Sequence, residues 1–195
     1  MRGLVSSKSE QPIRPAETSA RFFCNKSRVV LHISSESYVA VTNYRMCFEW
    51  VKCFQNRLPY HAVSAGKLNG HDVYVARAVH EGETLIGWAQ PGVSCCNVSW
   101  GGGAHELEEY QCLATETPEK LDWVPAADGD VPNGAVQGGT TSDGEQLFVG
   151  RVHSGDNVFV GKVQPSHNAL YVAHDGQEVK FNNYEVLVCK KLELC

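Results

Sequence analysis

Trp123-Val-Pro-Ala-Ala-Asp-Gly-Asp-Val-Pro-Asn-Gly-Ala-Val-Gln-Gly-Gly139 has a weaker copy of itself 73 residues upstream. Trp50, Val51, Pro59, Ala62, Val63 and Gly66 stand in step with Trp123, Val124, Pro132, Ala135, Val136 and Gly139. One residue is inserted near Ser142–Asp143, and from there the spacing is 74. Arg77 then matches Arg151, Gly87 matches Gly161, Pro91 matches Pro165, and Gly102 matches Gly176. Tyr110 matches Tyr184, and Leu113 matches Leu187. A fixed internal period marks a repeated structural unit. Two copies are too few for an open solenoid, so the expectation is two units closing on each other about a pseudo-two-fold axis.

The surrounding sequence sets the organisation: an extension over 1–46, repeat one over 47–114, a linker over 115–122 and repeat two over 123–191. The extension is polar at its start, with Pro12, Pro15 and many serines, and reads as poorly ordered. One added strand is expected between Val39 and Phe48. No stretch resembles the apolar segment of a signal peptide. The chain has 195 residues, an apolar fraction of 43% and a charged fraction of 20%, as in an ordinary globule. Its net charge of −5 and the absence of a Lys/Arg stripe argue against nucleic acid as a partner. No apolar run approaches the roughly 20 residues of a transmembrane helix.

Within each repeat the periodicity is that of strands. Asp72–His80 alternates Val73, Val75, Arg77 and Val79 against Tyr74, Ala76 and Ala78. Gln146–His153 does the same with Leu147, Val149, Arg151 and His153. Turns at Glu81-Gly82-Glu83 and Gly155-Asp156-Asn157 lead to return strands over 84–86 and 158–160. Asn168–Ala173 and Tyr184–Cys189 read as two further strands joined near Asp175-Gly176. The predicted fold is all-β: two pseudo-symmetric antiparallel units packed as a sandwich. Trp50 and Trp123 are expected as core anchors, Tyr110 and Tyr184 as packing residues. Arg77 and Arg151 share a face with valines and need partners if buried. Glu185 is available to Arg151, and Gln111 stands at the matching place for Arg77.

The eight cysteines show no Cys-x-x-Cys spacing, so no metal site is expected. Without a leader they read as reduced thiols. Asn25-Lys-Ser27 and Asn97-Val-Ser99 match the glycosylation sequon, which matters only to a secreted chain. The Asp-Gly pairs lack the alternating oxygen ligands of a calcium loop and read as turns. Nucleophile-elbow, zincin, Walker and dinucleotide motifs are missing from the sequence. The expectation is a protein that is not an enzyme and needs no cofactor.

Val131-Pro-Asn-Gly-Ala-Val-Gln-Gly-Gly139, Leu147-Phe-Val-Gly-Arg151, Gly161-Lys162-Val163 and Tyr184-Glu-Val-Leu187 resemble the DM-nine repeat. Repeat one keeps the frame as Leu58-Pro-Tyr-His-Ala-Val63, Val73-Tyr-Val-Ala-Arg77 and Tyr110-Gln-Cys-Leu113. The resemblance implies two pseudo-symmetric β units. It also implies, for some members, metal-independent lectin activity toward mannose and recognition of microbial surfaces. Other members are linked to responses to pathogens with a cytoplasmic and vesicle-associated location, and related repeats form the lectin-like part of natterin-type toxins.

The lectin members use a lysine in the Gly-Lys motif and an acidic residue in the loop after the Gly-Gly turn. By that resemblance the ligand-binding residues here are Lys162 and Asp143, with Glu145 and Asp156 in reserve. The chemistry is coherent, because an ammonium donates, a carboxylate accepts, and together they grip a vicinal diol. Repeat one departs from the pattern: Trp88 stands at the position of Lys162, and Asn69 at that of Asp143. Trp88 is kept as a stacking candidate. The expectation is therefore a mannose-type lectin for mannose-containing glycans or microbial polysaccharide, with one site per chain and avidity gained through a homodimer. The expected location is cytoplasmic, with vesicle association. Release without a conventional signal peptide is the alternative location. The alternative function is an intracellular, pathogen- or stress-responsive trafficking or interaction protein that has lost its sugar site. Membrane damage is the weakest binding alternative, for want of a pore-forming segment.

Overall fold

The computed structural model describes residues 29–32, 40–43, 47–54 and 57–190. The chain forms two compact units, Met1–Arg45 and Met46–Cys195. In the first, β1 (Val29–His32) and β2 (Ala40–Asn43) pair antiparallel. The added strand expected after Val39 is thus β2, and it has a partner that the sequence reading had missed. The rest of the expected 1–46 extension lies outside the described residues, as do Cys24 and Cys195.

The second unit holds both repeats. Repeat one consists of β3 (Glu49–Lys52), β4 (Ser64–Leu68), β5 (His71–His80), β6 (Glu83–Ala89), β7 (Cys96–Trp100), β8 (Gly103–Leu107) and β9 (Tyr110–Ala114). Repeat two consists of β10 (Leu121–Ala127), β11 (Gln137–Thr140), β12 (Gln146–Ser154), β13 (Asn157–Gln164), β14 (Ala169–His174), β15 (Gln177–Phe181) and β16 (Asn183–Cys189). Two short 3-10 turns open with Pro118 and Pro165. The strand path is β10-β16-β12-β13-β14-β15-β8-β7-β6-β5-β9-β3, which reads the same from either end once equivalent strands are exchanged. The register is equally faithful. Ala76 faces Gly87 in repeat one, and Gly150 faces Gly161 in repeat two. The all-β, antiparallel, two-unit fold expected from the sequence is the observed one.

β15 corrects the reading of repeat two. The turn at Asp175-Gly176 leads not to the last strand but to β15, which pairs β14 along its length. β15 also meets β8 of the other repeat, through Gln177 opposite Gly103. The backbone bonds there are reciprocal: Ala104 N–H donates to Gly176 O at 3.1 Å, and Glu178 N–H donates to Gly102 O at 3.0 Å. The pseudo-two-fold axis therefore passes through this contact. A second junction lies at Thr140 of β11, opposite Thr84 of β6.

The core is built from equivalent pairs. Val73, Val75, Leu85, Ile86, Val98 and Leu113 are buried, as are Leu147, Val149, Phe159, Val160, Val172 and Leu187. Each such side chain is worth about 1.5–3 kcal/mol when fully withdrawn from water. The two-face reading of β5 fails at its end. Val79 is 67% exposed, whereas Ala76 and Ala78, on the face opposite the valines, are buried.

The arginines are held as mirror images. Arg77 lies 4.3 Å from the Trp50 ring, donates Nε to Gln111 Oε1 at 2.9 Å and donates Nη1 to Gly138 O at 3.1 Å. Arg151 lies 4.4 Å from the Trp123 ring, donates Nε to Glu185 Oε2 at 2.6 Å and donates Nη1 to Ala65 O at 2.7 Å. Each guanidinium thus ties its own repeat's tryptophan to a carbonyl of the other repeat. Burial pushes the Arg77 pKa down to about 10. The tryptophans pack against the core while serving as platforms for these cations. Tyr184 is more than a packing residue, because its hydroxyl accepts the Gly129 N–H at 2.8 Å.

The expectation of reduced thiols is corrected for Cys47 and Cys189, which form a disulfide across 142 residues of sequence. It joins the approach to β3 with the end of β16, a pairing that no local spacing reveals. Cys53, Cys95, Cys96 and Cys112 are free and buried. No helix among the described residues is long and apolar enough to cross a membrane.

Candidate functional site

The Gly-Lys motif sits on β13, and its counterpart Gly87-Trp88 sits on β6. Both glycines allow a close backbone approach. A Cβ at Gly161 would fall 1.9 Å from Tyr171 O, and one at Gly87 would fall 1.8 Å from Asn97 O. The side chain that follows each glycine reaches into the other repeat. Lys162 Nζ donates to Ser99 O at 2.7 Å, and Trp88 Nε1 donates to Ala173 O at 3.3 Å. Ser99 and Ala173 are themselves equivalent positions. One donor thus crosses the axis in each direction, charged on one side and neutral on the other.

Around Lys162 the structure assembles an ion pair. Its ammonium lies 3.0 Å from Glu178 Oε1, and the two side chains are only 6% and 12% exposed. Glu178 Oε1 is buried and has no directed hydrogen bond, so the contact is one of charge rather than of aligned donor and acceptor. Oε2 accepts the Gly102 N–H at 2.9 Å. The Tyr171 ring centroid is 5.8 Å from the ammonium, and the ring is half-buried. Burial, aided by the charge on Glu178, pushes the Tyr171 phenol up from its usual pKa. A cation with three donors, a carboxylate with a spare lone pair and an aromatic face are thereby gathered at the junction of the repeats.

The structure gives Lys162 a carboxylate other than the one expected. Asp143 lies on an exposed turn, where it accepts the Thr141 hydroxyl at 2.6 Å. That bond holds its carboxyl below the usual range. No hydrogen bond or ion pair among the described residues joins Asp143 to Lys162, whose carboxylate contact is Glu178. A signal for this lay in the repeat alignment, since Lys162 and Glu178 in repeat two stand where Trp88 and Ala104 stand in repeat one. Opposite charges that come and go together point to a pair. Asp156 occupies the exposed turn between β12 and β13. Its neighbour Asn157 accepts the Asn69 N–H through Oδ1 at 2.8 Å.

Glu145 is a tie within repeat two. Its carboxylate accepts the Ser166 N–H at 2.8 Å, the Ser166 hydroxyl at 2.7 Å and the Gln164 amide at 2.8 Å. Burial alone would raise its pKa, but these bonds outweigh burial and hold it below the usual glutamate value. A folded-state pKa below the unfolded one contributes stability at neutral pH that disappears as acid protonates the folded group. The wild-type chain is therefore expected to lose its stability advantage over Glu145→Gln as pH falls below about 4. Urea denaturation at stepped pH checks this, and parallel curves for the two proteins would contradict it.

One cleft, of about 260 Å³ and lined by Leu58, Pro59, Tyr60, Ala62, Tyr74 and Pro91, holds no charged side chain and no residue of the Lys162 cluster. The charged junction, not this cleft, has the chemistry of a polar-ligand site.

A family model described as DM9 repeat matches the chain twice, over residues 13–97 and 67–181. No curated protein matches it. Among solved structures, the chain is similar to the crystal structure of the nematode sperm cell motility protein MFP2B. The TM-score is 0.55 at 18% identity, over 75% of this chain and 47% of that one. The chain thus spans about half the length of that protein, and the likeness is one of fold.

Proposed function

The chain belongs to the DM9 repeat family, and from that premise we propose a metal-independent, lectin-like carbohydrate-binding protein with its site at Lys162 and Glu178. The observation that supports this reading is the ion pair itself. The Lys162 ammonium directs one donor, to Ser99 O, and the buried Glu178 Oε1 accepts no directed bond, so both keep hydrogen-bonding capacity. A vicinal diol laid against Tyr171 would use both once the pair opens. The proposed ligand class is mannose-type glycan on microbial surfaces. Repeat one has Trp88 and Ala104 in place of the pair, so one site per chain is proposed, with self-association supplying avidity. The proposed location is cytoplasmic with vesicle association. The Cys47–Cys189 disulfide supports the alternative of an oxidising, extracellular setting.

Titration calorimetry with D-mannose and a mannan oligosaccharide, in EDTA, tests the reading. A monosaccharide affinity near millimolar, about −4 kcal/mol, is expected. The double variant Lys162→Trp with Glu178→Ala copies repeat one and should fold yet give no heat with either ligand. Undiminished binding by that variant removes the site from Lys162. Silence from the folded wild-type chain with both ligands overturns the lectin reading in favour of an interaction protein, for which the inward-locked Lys162 would serve only as a bolt between repeats.

A further inference from the structure

The four free cysteines among the described residues are all in repeat one. At the equivalent places of repeat two stand Ala126, Ala169, Leu170 and Val186, for Cys53, Cys95, Cys96 and Cys112 respectively. The same fold packs in repeat two without any of these sulfurs, so packing does not require them. Two of them are neighbours by strand register. β3 and β9 pair with Val51 opposite Cys112, and the Cys53 N–H donates to Tyr110 O at 3.0 Å. Cys53, Tyr110 and Cys112 therefore share one face of the β3–β9 ladder, with the two thiols diagonal to each other across it. Tyr110 is 4% exposed, and its hydroxyl has no hydrogen-bond partner. Its counterpart Tyr184 is satisfied by the Gly129 N–H. An orphaned phenol thus shares its sheet face with two free thiols that have no counterpart in repeat two.

We propose that Cys53 and Cys112 are a redox-active pair that hydrogen peroxide closes into a reversible disulfide between β3 and β9. The proposal is independent of the carbohydrate reading. The roles follow from position in the sheet: Cys53 adjoins β3, the end strand, whereas Cys112 lies on β9 inside the path and is fully buried. Interaction with Cys112 lowers the Cys53 pKa against the opposing pull of burial, and Cys53 together with burial raises that of Cys112. Cys53 is the attacking sulfur, since the thiolate is the reactive form. Its thiolate takes one peroxide oxygen, the O–O bond breaks, and the departing hydroxide is protonated to water. The product is a sulfenic acid on Cys53. The Tyr110 hydroxyl is placed to donate to the sulfenic oxygen. The Cys112 sulfur then attacks the Cys53 sulfur as its thiol proton passes to the departing hydroxyl; the S–S bond forms, the S–O bond breaks and a second water leaves. Two thiols and one peroxide give one disulfide and two waters. β3 is the last strand of the sheet path, so only local opening at an edge separates Cys53 from solvent. No three His, Cys, Asp or Glu side chains among the described residues are grouped to hold a metal ion.

The test is peptide mapping of the full chain after peroxide treatment and alkylation, without reductant. A Cys53–Cys112 linked peptide should accumulate and disappear on treatment with a dithiol, while Cys95 and Cys96 remain alkylatable after unfolding. Cys112→Val, which installs the repeat-two residue, should leave Cys53 trapped as a dimedone adduct of its sulfenic acid. Tyr110→Phe, removing a positioning hydroxyl, should slow linkage several-fold without preventing it. The proposal is overturned if both cysteines of the wild-type chain stay reduced at peroxide levels that oxidise an unstructured cysteine peptide. It is equally overturned if Cys53 links to Cys95 or Cys96 instead. Wild-type mapping alone decides between these outcomes should a variant fail to fold.

Discussion

Lys162→Met is expected to destabilise the chain by about 3–5 kcal/mol, the usual penalty for breaking a buried ion pair from one side. The substitution keeps most of the aliphatic stem and removes the ammonium. Glu178 then remains, 12% exposed, with a carboxylate whose only directed bond comes from Gly102 N–H. Ser99 O loses its donor as well. The cost comes from the stranded charge more than from the lost attraction. Removing both partners should therefore cost less than removing one. Lys162→Trp with Glu178→Ala reproduces the Trp88–Ala104 arrangement that the other half of the molecule already tolerates. A urea double-mutant cycle should show coupling of about 0.5–3 kcal/mol between the two positions. If Lys162→Met stayed within about 1 kcal/mol of wild type, the pair would be behaving as a surface contact, and its reading as a buried junction would fail.

Gly161→Ala should be more damaging still, exceeding about 4 kcal/mol and leaving little folded protein. The added methyl would stand 1.9 Å from Tyr171 O and 2.8 Å from Tyr171 C, both backbone atoms of the adjoining strand. A flexible side chain could swing aside; a strand that is hydrogen-bonded through Gly161 opposite Val172 cannot. Gly155→Ala is the contrasting case. Nothing lies within 4 Å of its Cβ, although its φ of +59° disfavours a side chain. Its cost should be near the 1–2 kcal/mol of a left-handed L residue. Comparable melting temperatures for the two variants would show that the β13–β14 approach is looser than the geometry states.

The repeat made the fold readable. Because two independent stretches obey one strand pattern, the hairpins β5–β6 and β12–β13 could be placed from alternation and turn residues alone. The Arg151–Glu185 contact was also legible: a charged residue among valines demands a partner, and the position of Glu185 has the polar Gln111 as its equivalent. β15 was not legible, because Gln177-Glu-Val-Lys-Phe181 is short, bears two charges and owes its place to partners on both sides, one of them in the other repeat. Glu178 was missed for the same reason. It sits two strands away from Lys162, and its second oxygen is held by Gly102, 76 residues distant. The Cys47–Cys189 bridge was hidden likewise, since neither cysteine has a neighbour that marks it.

The contacts that cross the axis also govern how the chain acquires its shape. The donors and acceptors of Arg77, Lys162, Trp88 and Arg151 are 61, 63, 85 and 86 residues apart. None can close until the second repeat has been synthesised, and each requires a long loop to be drawn together before it contributes anything. A nascent first repeat would emerge with Gly138 O missing for Arg77 and Ala173 O missing for Trp88. The double unit therefore cannot complete its fold before both repeats are present, and slow folding for its size is expected, as for non-local β pairing generally. During that interval the uncovered edges of repeat one are the part of the molecule most in need of protection from other chains.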